Sequence, residues 1–292
     1  MSSTTPLVTL MVGRHRHLES LRADPRRPAR LGIDMRAPAG PASGEFPGMV
    51  ARRTYDFCEL AAATFLQARA HGYPLVLVPV TVVARPQHDA LVFGPGVTGG
   101  LAGARIAIRS YGQTTGVWVR GMLREHSGVS DATWVTTSPD HVPGVAYPPN
   151  VTRVDGGRRV VELLRAGAAR AAVIGPEDMA DDLRCVFGDP VAADREWVTA
   201  HGVVPVNHVL VARDDPGVVA RIPAVVELFR SVADAAEPTE RDRWLRARGV
   251  DPLPIGMAGI APSLEILLGY CVEQGVVPAG TRFADLIGGQ GR

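Results

Sequence analysis

The chain has 292 residues, of which 46% are hydrophobic and 21% are charged, and its formal net charge is +1. This length lies at the limit where one hydrophobic core usually gives way to two domains, and the composition is ordinary for a globular protein. A balanced charge, with no basic run beside aromatic residues, argues against a nucleic-acid partner.

The segment 1–20 has no basic region followed by an apolar stretch and a small-residue cleavage site, as a secretion signal requires. No apolar run reaches the length of a membrane span. We therefore expect a cytoplasmic protein that does not enter a membrane.

Every one of the 31 basic residues is arginine. Without a lysine amine, the chain cannot form a Schiff base with pyridoxal phosphate or with a carbonyl substrate, and it cannot build a lysine-containing phosphate loop. The three cysteines, Cys58, Cys185 and Cys271, are far apart and form no CxxC pair, which argues against a disulfide framework and a structural zinc site. We expect no cofactor.

Short strands and helices alternate along the first part of the chain. Strands are predicted at 7–12, 32–35, 74–83 and 90–93. Glu59 ends a further short strand, at the first turn of a helix predicted over 61–70, and Arg85 and His88 follow the strand at 74–83. Ligands in open α/β sheets lie at the carboxyl ends of the strands, so we expect these three side chains to face one small anion.

A second βα series begins near residue 96. Its first strand, 105–108, leads through a turn at 110–115 into a helix over 116–125, and strands at 133–136 and 171–174 flank a helix at 158–166. The free N–H groups and hydroxyls at that turn suit a carboxylate, which makes Tyr111, Thr114 and Thr115 candidate binding residues. Thr115 is equally well explained as a helix N-cap.

The alternation predicts an α/β protein with two mainly parallel sheets and a central cleft. One lobe comprises 1–93 and 205–292, including a late strand at 206–211 and helices at 217–236, 240–248 and 263–274, and the other lobe comprises 94–204. The chain would then cross between lobes twice, near 90–95 and 200–206. A single large doubly wound sheet is the alternative architecture.

Two further groups of histidines bear on the site. Asn207 and His208 interrupt an otherwise apolar strand, so His208 either lines a cavity or is a core histidine with a partner. His15 and His17 would point the same way on a strand, but the sequence offers no third ligand, and we predict no metal site.

Five segments together resemble 4,5-dihydroxyphthalate decarboxylase and its relatives, which are enzymes on the type 2 periplasmic-binding-protein fold. They are DFCELAAATFL (56–66), PLVLVPVTVVARPQH (74–88), TTGVWVRGMLREHSGV (114–129), HGVVPVNHVLVARDD (201–215) and DPLPIGMAGIAPSLEILLGYCVEQG (251–275). The resemblance runs from about residue 7 to 277, and its most specific pieces are the Glu59 turn, WVRG at 118–121 and EQG at 273–275. It implies a cofactor-independent carboxy-lyase acting on a hydroxylated, phthalate-like aromatic carboxylate held between the lobes.

Such a site must anchor the acid, protonate the ring carbon that bears the carboxylate, and accept the phenol proton. Arg85 is the expected anchor because a guanidinium binds a carboxylate through two parallel hydrogen bonds, with Arg16 as second choice. His88 or His208 suits proton transfer. Glu59 either orients that histidine or, with a raised pKa, donates the proton itself. His17 completes the predicted substrate-binding set.

Two other functions remain open. A solute-binding protein of a transporter shares the fold and would bind a small aromatic or carboxylate ligand, although an export signal is not evident. A chorismate dehydratase-like lyase is a third hypothesis on the same scaffold. The sequence leaves homo-oligomerisation open.

Overall fold

A computed structural model describes residues 7–154, 156–233 and 236–287. The described chain forms two compact units. The first comprises 7–84, 206–265 and 282–287 with the gap at 234–235, and the second comprises 85–205 and 266–281 with the gap at 155. Among the described residues, no helix is both long enough and apolar enough to cross a membrane.

Strands and helices alternate through both units. The strands, in chain order, are β1 (Val8–Met11), β2 (Ile33–Arg36), β3 (Phe57–Ala61), β4 (Leu75–Ala84), β5 (Leu91–Phe93), β6 (Arg105–Ile108), β7 (Thr133–Thr136), β8 (Val151–Arg153), β9 (Ala171–Val173), β10 (Arg184–Cys185) and β11 (Val206–Arg213). The helices are α1 (Glu19–Ala23), α2 (Arg26–Arg30), α3 (Phe46–Arg52), α4 (Ala62–Ala70), α5 (Thr114–Ser127), α6 (Val160–Arg165), α7 (Pro190–His201), α8 (Pro216–Val219), α9 (Ile222–Arg230), α10 (Glu240–Arg246), α11 (Met257–Glu273) and α12 (Phe283–Ile287). Short 3-10 turns lie at Arg16–Leu18, Ala42–Gly44, His88–Ala90 and Pro176–Asp178.

The sheet of the first unit has the order β2-β1-β3-β11-β4. β1 pairs in parallel with β2 and β3, and β11 runs antiparallel between β3 and β4. β4 is almost continuously apolar and largely buried, as is typical of a strand covered on both faces. The late strand is therefore an interior strand of the first unit's sheet.

The sheet of the second unit has the order β10-β5-β9-β6-β7-β8. β9, β6, β7 and β8 are parallel neighbours, whereas β5 is antiparallel to both β9 and β10. Two separate mixed sheets rule out the alternative of one large doubly wound sheet.

The predicted lobe boundaries are wrong in two places. Residues 85–93 belong to the second unit, because β5 pairs with β9 and β10 rather than with β4. Residues 266–281 also belong to the second unit, because Tyr270 packs its ring edge against Trp118 at a centroid distance of 5.6 Å. The chain consequently changes unit at four places instead of the two expected.

The helix predicted over 217–236 is divided into α8 and α9. Pro223 stands in the first turn of α9, where a proline without an N–H is tolerated, and the break falls just before it. The next helix, α10, begins with a capping box, in which Thr239 accepts from the Asp242 amide and Asp242 accepts from the Thr239 amide. This box places Asp242 beside a cavity described below.

Candidate functional site

The carboxylate of Glu59 is the centre of a polar cluster in the first unit. Glu59 lies inside β3 with no exposed surface, so the strand extends two residues beyond the predicted turn into α4. Its Oε1 lies 2.6 Å from Nδ1 of His208, and its Oε2 lies 2.8 Å from Nε2 of His15 and 2.7 Å from the Gly13 amide nitrogen. We call Glu59, His15 and His208 the Glu59 cluster.

The sheet order brings these residues together. His208 pairs with Ala61 across the antiparallel β11–β3 ladder, and Ala61 lies on the same face of β3 as Glu59, two residues earlier. β1 is the parallel neighbour of β3 on its other side, with Met11 opposite Cys58, so the chain leaving β1 passes the Glu59 carboxylate. The two imidazoles therefore come from the two strands that flank β3, one from within β11 and one from the segment that follows β1.

Glu59 is ionised. Burial alone would raise its pKa, but hydrogen bonds from His15 and His208 and the attraction of their charges lower the pKa well below the ordinary range for a glutamate. This direction is opposite to the raised pKa that a proton-donating Glu59 requires. The structure thus favours the other predicted role, in which Glu59 orients histidines.

The ionised carboxylate also sets the histidine tautomers. A carboxylate only accepts, so the ring nitrogens facing it, Nε2 of His15 and Nδ1 of His208, carry protons. When either imidazole is neutral, its opposite nitrogen, Nδ1 of His15 or Nε2 of His208, holds a lone pair directed away from Glu59. Both rings are partly exposed, at 22% and 27% of their side-chain surface. The cluster can accept a proton at either ring and stabilise the resulting imidazolium.

A cavity of about 370 Å³ in the first unit lies beside this cluster. The described residues that line it include four arginines and two aspartates, which are Arg14, Arg16, Arg241, Arg246, Asp242 and Asp251. The rest of its wall includes His15, His17, Val82, Val83 and Leu253. Both aspartates accept local backbone hydrogen bonds, from Thr239 and from Leu253. The lining combines excess positive charge with an apolar surface.

Arg16 and His17, both predicted to bind substrate, line this cavity. The Arg16 guanidinium donates to the Glu237 carbonyl and lies 3.6 Å from Asp242, which fixes it against the start of α10. The His17 ring stacks on His15 with centroids 5.7 Å apart. Burial, followed by the charge of His15, lowers the pKa of His17 to about 4, so His17 is neutral near pH 7.

The second unit has its own cationic cavity of about 370 Å³, where β6, β7 and β9 end. Arg85 and Thr115, which the sequence singles out, line it together with Arg109, Gln113 and Ser138. Burial lowers the pKa of Arg109, while the nearby charge of Glu177 opposes this. Arg85 has an ion-pair partner in Asp89 at 3.3 Å.

Sequence reasoning missed Arg109. It directly follows β6, as Arg85 directly follows β4, and the rule that ligands lie at the carboxyl ends of strands applies to both positions. His15 follows β1, so the same rule applies to its position as well.

The helix after β6 begins two residues earlier than the cap hypothesis for Thr115 requires. α5 starts at Thr114 with Gln113 as its N-cap, so the interpretation of Thr115 as an N-cap is wrong. Thr114 is buried. Tyr111 is buried too, and its hydroxyl donates to the Gln274 carbonyl at 2.9 Å while the Arg120 guanidinium lies 4.0 Å from its ring centroid. Tyr111 thus has structural partners within the second unit.

Arg120 and Gln274 belong to the WVRG and EQG segments that carry the family resemblance. Nε of Arg120 donates to Oε1 of Gln274 at 2.6 Å, and the Gln274 amide donates to the Val117 carbonyl at 3.0 Å. The two segments therefore meet and join α5 to the end of α11.

His88 does not fit the predicted role of proton shuttle. Its ring is buried in the second unit, with Nδ1 2.6 Å from Asp194 Oδ1 and its edge against Phe187 at a centroid distance of 4.6 Å. A shuttle needs an imidazole that a ligand can reach, and only 5% of the His88 side chain is exposed. Within the described ranges, no three or more His, Cys, Asp or Glu side chains are placed to hold a metal ion.

No family model matches the chain, and no curated protein sequence matches it. Solved structures do match. The periplasmic aliphatic sulphonate binding protein SsuA from Escherichia coli is 14% identical, with 96% of this chain and 91% of that chain covered and a TM-score of 0.60. The alkanesulfonate-binding protein SsuA from Xanthomonas axonopodis pv. citri, bound to MOPS, is 15% identical, with 94% and 95% covered and a TM-score of 0.54.

Protein AF1704 from Archaeoglobus fulgidus also matches, at 11% identity over 92% of this chain and 98% of that chain, with a TM-score of 0.51. Identities this low show the fold alone. That fold is the type 2 periplasmic-binding-protein-like arrangement of two α/β units, as the sequence predicts.

Proposed function

We propose that the protein binds a small organic anion and that the cavity beside the Glu59 cluster contacts it. The observation that carries this proposal is the charge of the cavity lining, in which Arg14, Arg16, Arg241 and Arg246 outnumber two aspartates that already accept backbone hydrogen bonds.

Guanidinium groups bind planar or tetrahedral anions through paired hydrogen bonds, and the apolar wall suits the hydrocarbon part of such a ligand. The matched SsuA structures are described as sulfonate-binding proteins, which is consistent with anion binding on this fold.

Calorimetric titration with a panel of anions tests this proposal. The panel contains alkyl and aryl sulfonates, hydroxylated aromatic mono- and dicarboxylates, and neutral amides of the same acids. We expect at least one anion to bind and its amide not to bind, and Arg241→Gln to weaken that binding roughly 10-fold, as expected for one charge-assisted hydrogen bond.

The control is Arg230→Gln on α9, an exposed residue paired with Glu227, which should bind as the wild type does. Equal affinity for acids and amides, or an unaffected Arg241→Gln variant, would count against the proposal.

A second candidate is a lyase that decarboxylates a hydroxylated aromatic carboxylate, and the Glu59 cluster favours it. Simple binding does not need an ionised carboxylate buried between two histidines, because that arrangement is costly to desolvate. It is useful where imidazoles must be held in a defined tautomer while they exchange protons.

In this reaction, an imidazolium of the Glu59 cluster gives its proton to the ring carbon that bears the carboxylate. The C–C bond to the carboxylate then breaks, its electron pair returns to the ring, and CO₂ leaves. The phenol proton passes to the neutral imidazole and restores the imidazolium, so the hydroxyarene carboxylate becomes CO₂ and a phenolate, which then takes one proton from solvent. No electron acceptor is needed.

Release of CO₂ from the panel of hydroxylated aromatic acids distinguishes the two candidates. Turnover that falls roughly 10²–10⁴-fold in His208→Asn, with ligand affinity nearly unchanged, would support the lyase. Tight binding of an acid without release of CO₂ would support the solute-binding protein and count against the lyase. Cell fractionation separates them further, because the lyase is proposed to be cytoplasmic and a solute-binding protein would be exported.

A further inference from the structure

Arg22, on α1, makes two short contacts with the chain that leaves β1. Its Nη2 lies 2.6 Å from the carbonyl oxygen of Val12 and 2.6 Å from that of Gly13. The residue is partly buried, and burial lowers its pKa, which the charge of Glu59 opposes. A guanidinium keeps its charge under such conditions.

The Val12 carbonyl and the Gly13 N–H are the two ends of one planar peptide group. This N–H donates to Oε2 of Glu59 at 2.7 Å. A chain of hydrogen bonds therefore leads from the Arg22 guanidinium through a single peptide to the buried carboxylate. Hydrogen bonds in such a chain polarise one another, so a cation at one end strengthens the donor at the other.

The atoms around Gly13 are tightly packed. A methyl group on its Cα would lie 2.9 Å from Nε2 of His15 and 3.1 Å from Oε2 of Glu59. A displacement of this peptide would therefore disturb both the carboxylate and the first histidine at once. The second contact, to the Gly13 carbonyl, holds the chain at the point from which it continues to His15.

We infer that Arg22 is a positioning residue for the Glu59 cluster, which it holds and polarises through the Val12–Gly13 peptide. Its functional importance rests on the proposed role of the cluster, whereas the hydrogen-bond chain itself is testable without a ligand. The ionisable groups that face Glu59 or Arg22 are His15, His17, His208, Cys58 and Arg14.

The Gly13 amide is the reporter for the test. In the ¹⁵N-labelled wild-type protein without ligand, we expect its proton resonance far downfield and its hydrogen exchange at least 10-fold slower than that of an unprotected amide. Arg22→Gln removes the charge and should shift this resonance upfield and accelerate exchange roughly 10-fold. It should also raise the pH at which the resonance responds to protonation of Glu59.

Arg22→Lys keeps a charge but lacks the planar fork, so we expect intermediate values. Arg27→Gln is the matched control, because Arg27 is exposed on α2 and donates to the Ser231 carbonyl. A folded Arg22→Gln protein with an unchanged Gly13 resonance would overturn the inference. If that variant does not fold, a wild-type Gly13 amide that exchanges as fast as an unprotected one would overturn it as well.

This experiment is independent of the proposed function. A failure to bind the anions or to release CO₂ would count against the proposed function. The Gly13 resonance is measured in the ligand-free protein and tests only the hydrogen-bond chain.

Discussion

Nδ1 of His208 lies 2.6 Å from Oε1 of Glu59, although 149 positions separate the two residues in the chain. The contact exists because β11 runs between β3 and β4. Assembly of the Glu59 cluster therefore requires β11 to be placed in the first unit's sheet.

Replacement of the central carboxylate should be costly. In Glu59→Gln, the amide group faces donors at His15, His208 and Gly13, and at least one buried donor loses its acceptor. We expect the free energy of unfolding at pH 7 to fall by about 2–4 kcal/mol. Urea denaturation measures this change, and Glu227→Gln, at an exposed position on α9, is the control, with a change within about 0.5 kcal/mol.

The stabilisation that Glu59 gives to the folded protein should decrease as the pH falls. The folded state lowers the pKa of Glu59, so its contribution is complete above the unfolded value of about 4.3 and is lost as the pH falls below that value. The gap in stability between wild type and Glu59→Gln should therefore narrow from pH 6 to pH 3. A gap that is constant or widens on acidification would contradict the hydrogen bonds assigned to Glu59.

Gly13→Ala should separate the members of the cluster. The added methyl group would lie 2.9 Å from His15 Nε2 and 3.3 Å from the Ala42 methyl carbon, which forces the histidine away from Glu59. We expect a loss of about 1–3 kcal/mol in unfolding free energy, together with weaker binding of the anion. Gly40→Ala is the control, because a methyl group there meets nothing within 4 Å. Equal stability of the two variants would contradict the tight packing around Gly13.

His17 should make the protein sensitive to mild acid. Its folded pKa of about 4 lies below the unfolded value of about 6.5, so the unfolded chain takes up a proton first as the pH falls. The stability linked to His17 is complete above about pH 6.5 and is lost towards pH 4. Between these values, the wild type should lose about 1–2 kcal/mol more than His17→Gln does in thermal or urea unfolding. Parallel curves for the two proteins would refute this, and His71→Gln, at an exposed position, serves as control.

Gly121 permits the close approach of α5 to the end of α11. A methyl group on Gly121 would lie 2.3 Å from the Tyr270 ring, and moving this ring away would disturb the hydrogen bond from its hydroxyl to Glu125. We expect Gly121→Ala to destabilise the protein by about 1–3 kcal/mol. Gly269→Ala, beside Tyr270 on α11 with open space around it, should be neutral or slightly stabilising. Similar melting temperatures for the two variants would contradict this packing.

The sequence predicted the alternation of strands and helices and the two-unit fold, and it singled out Glu59 and His208, which the structure places in contact. It could not predict that β11 is inserted between β3 and β4, because the order of strands depends on contacts far apart in the chain. β5 has only three residues, and a strand that short carries no signal of which sheet it joins. His88 has the residue type of a proton shuttle, and only its burial beside Asp194 shows otherwise.

The helix α11 has a genetic consequence. Its first half belongs to the first unit and its second half to the other, so the boundary falls within a single helix. A continuous gene fragment that covers 85–281 also encodes 206–265 of the first unit, including β11. Recombination at one or two crossovers therefore cannot transfer either unit by itself to another protein, because a continuous segment that holds all of one unit also carries part of the other.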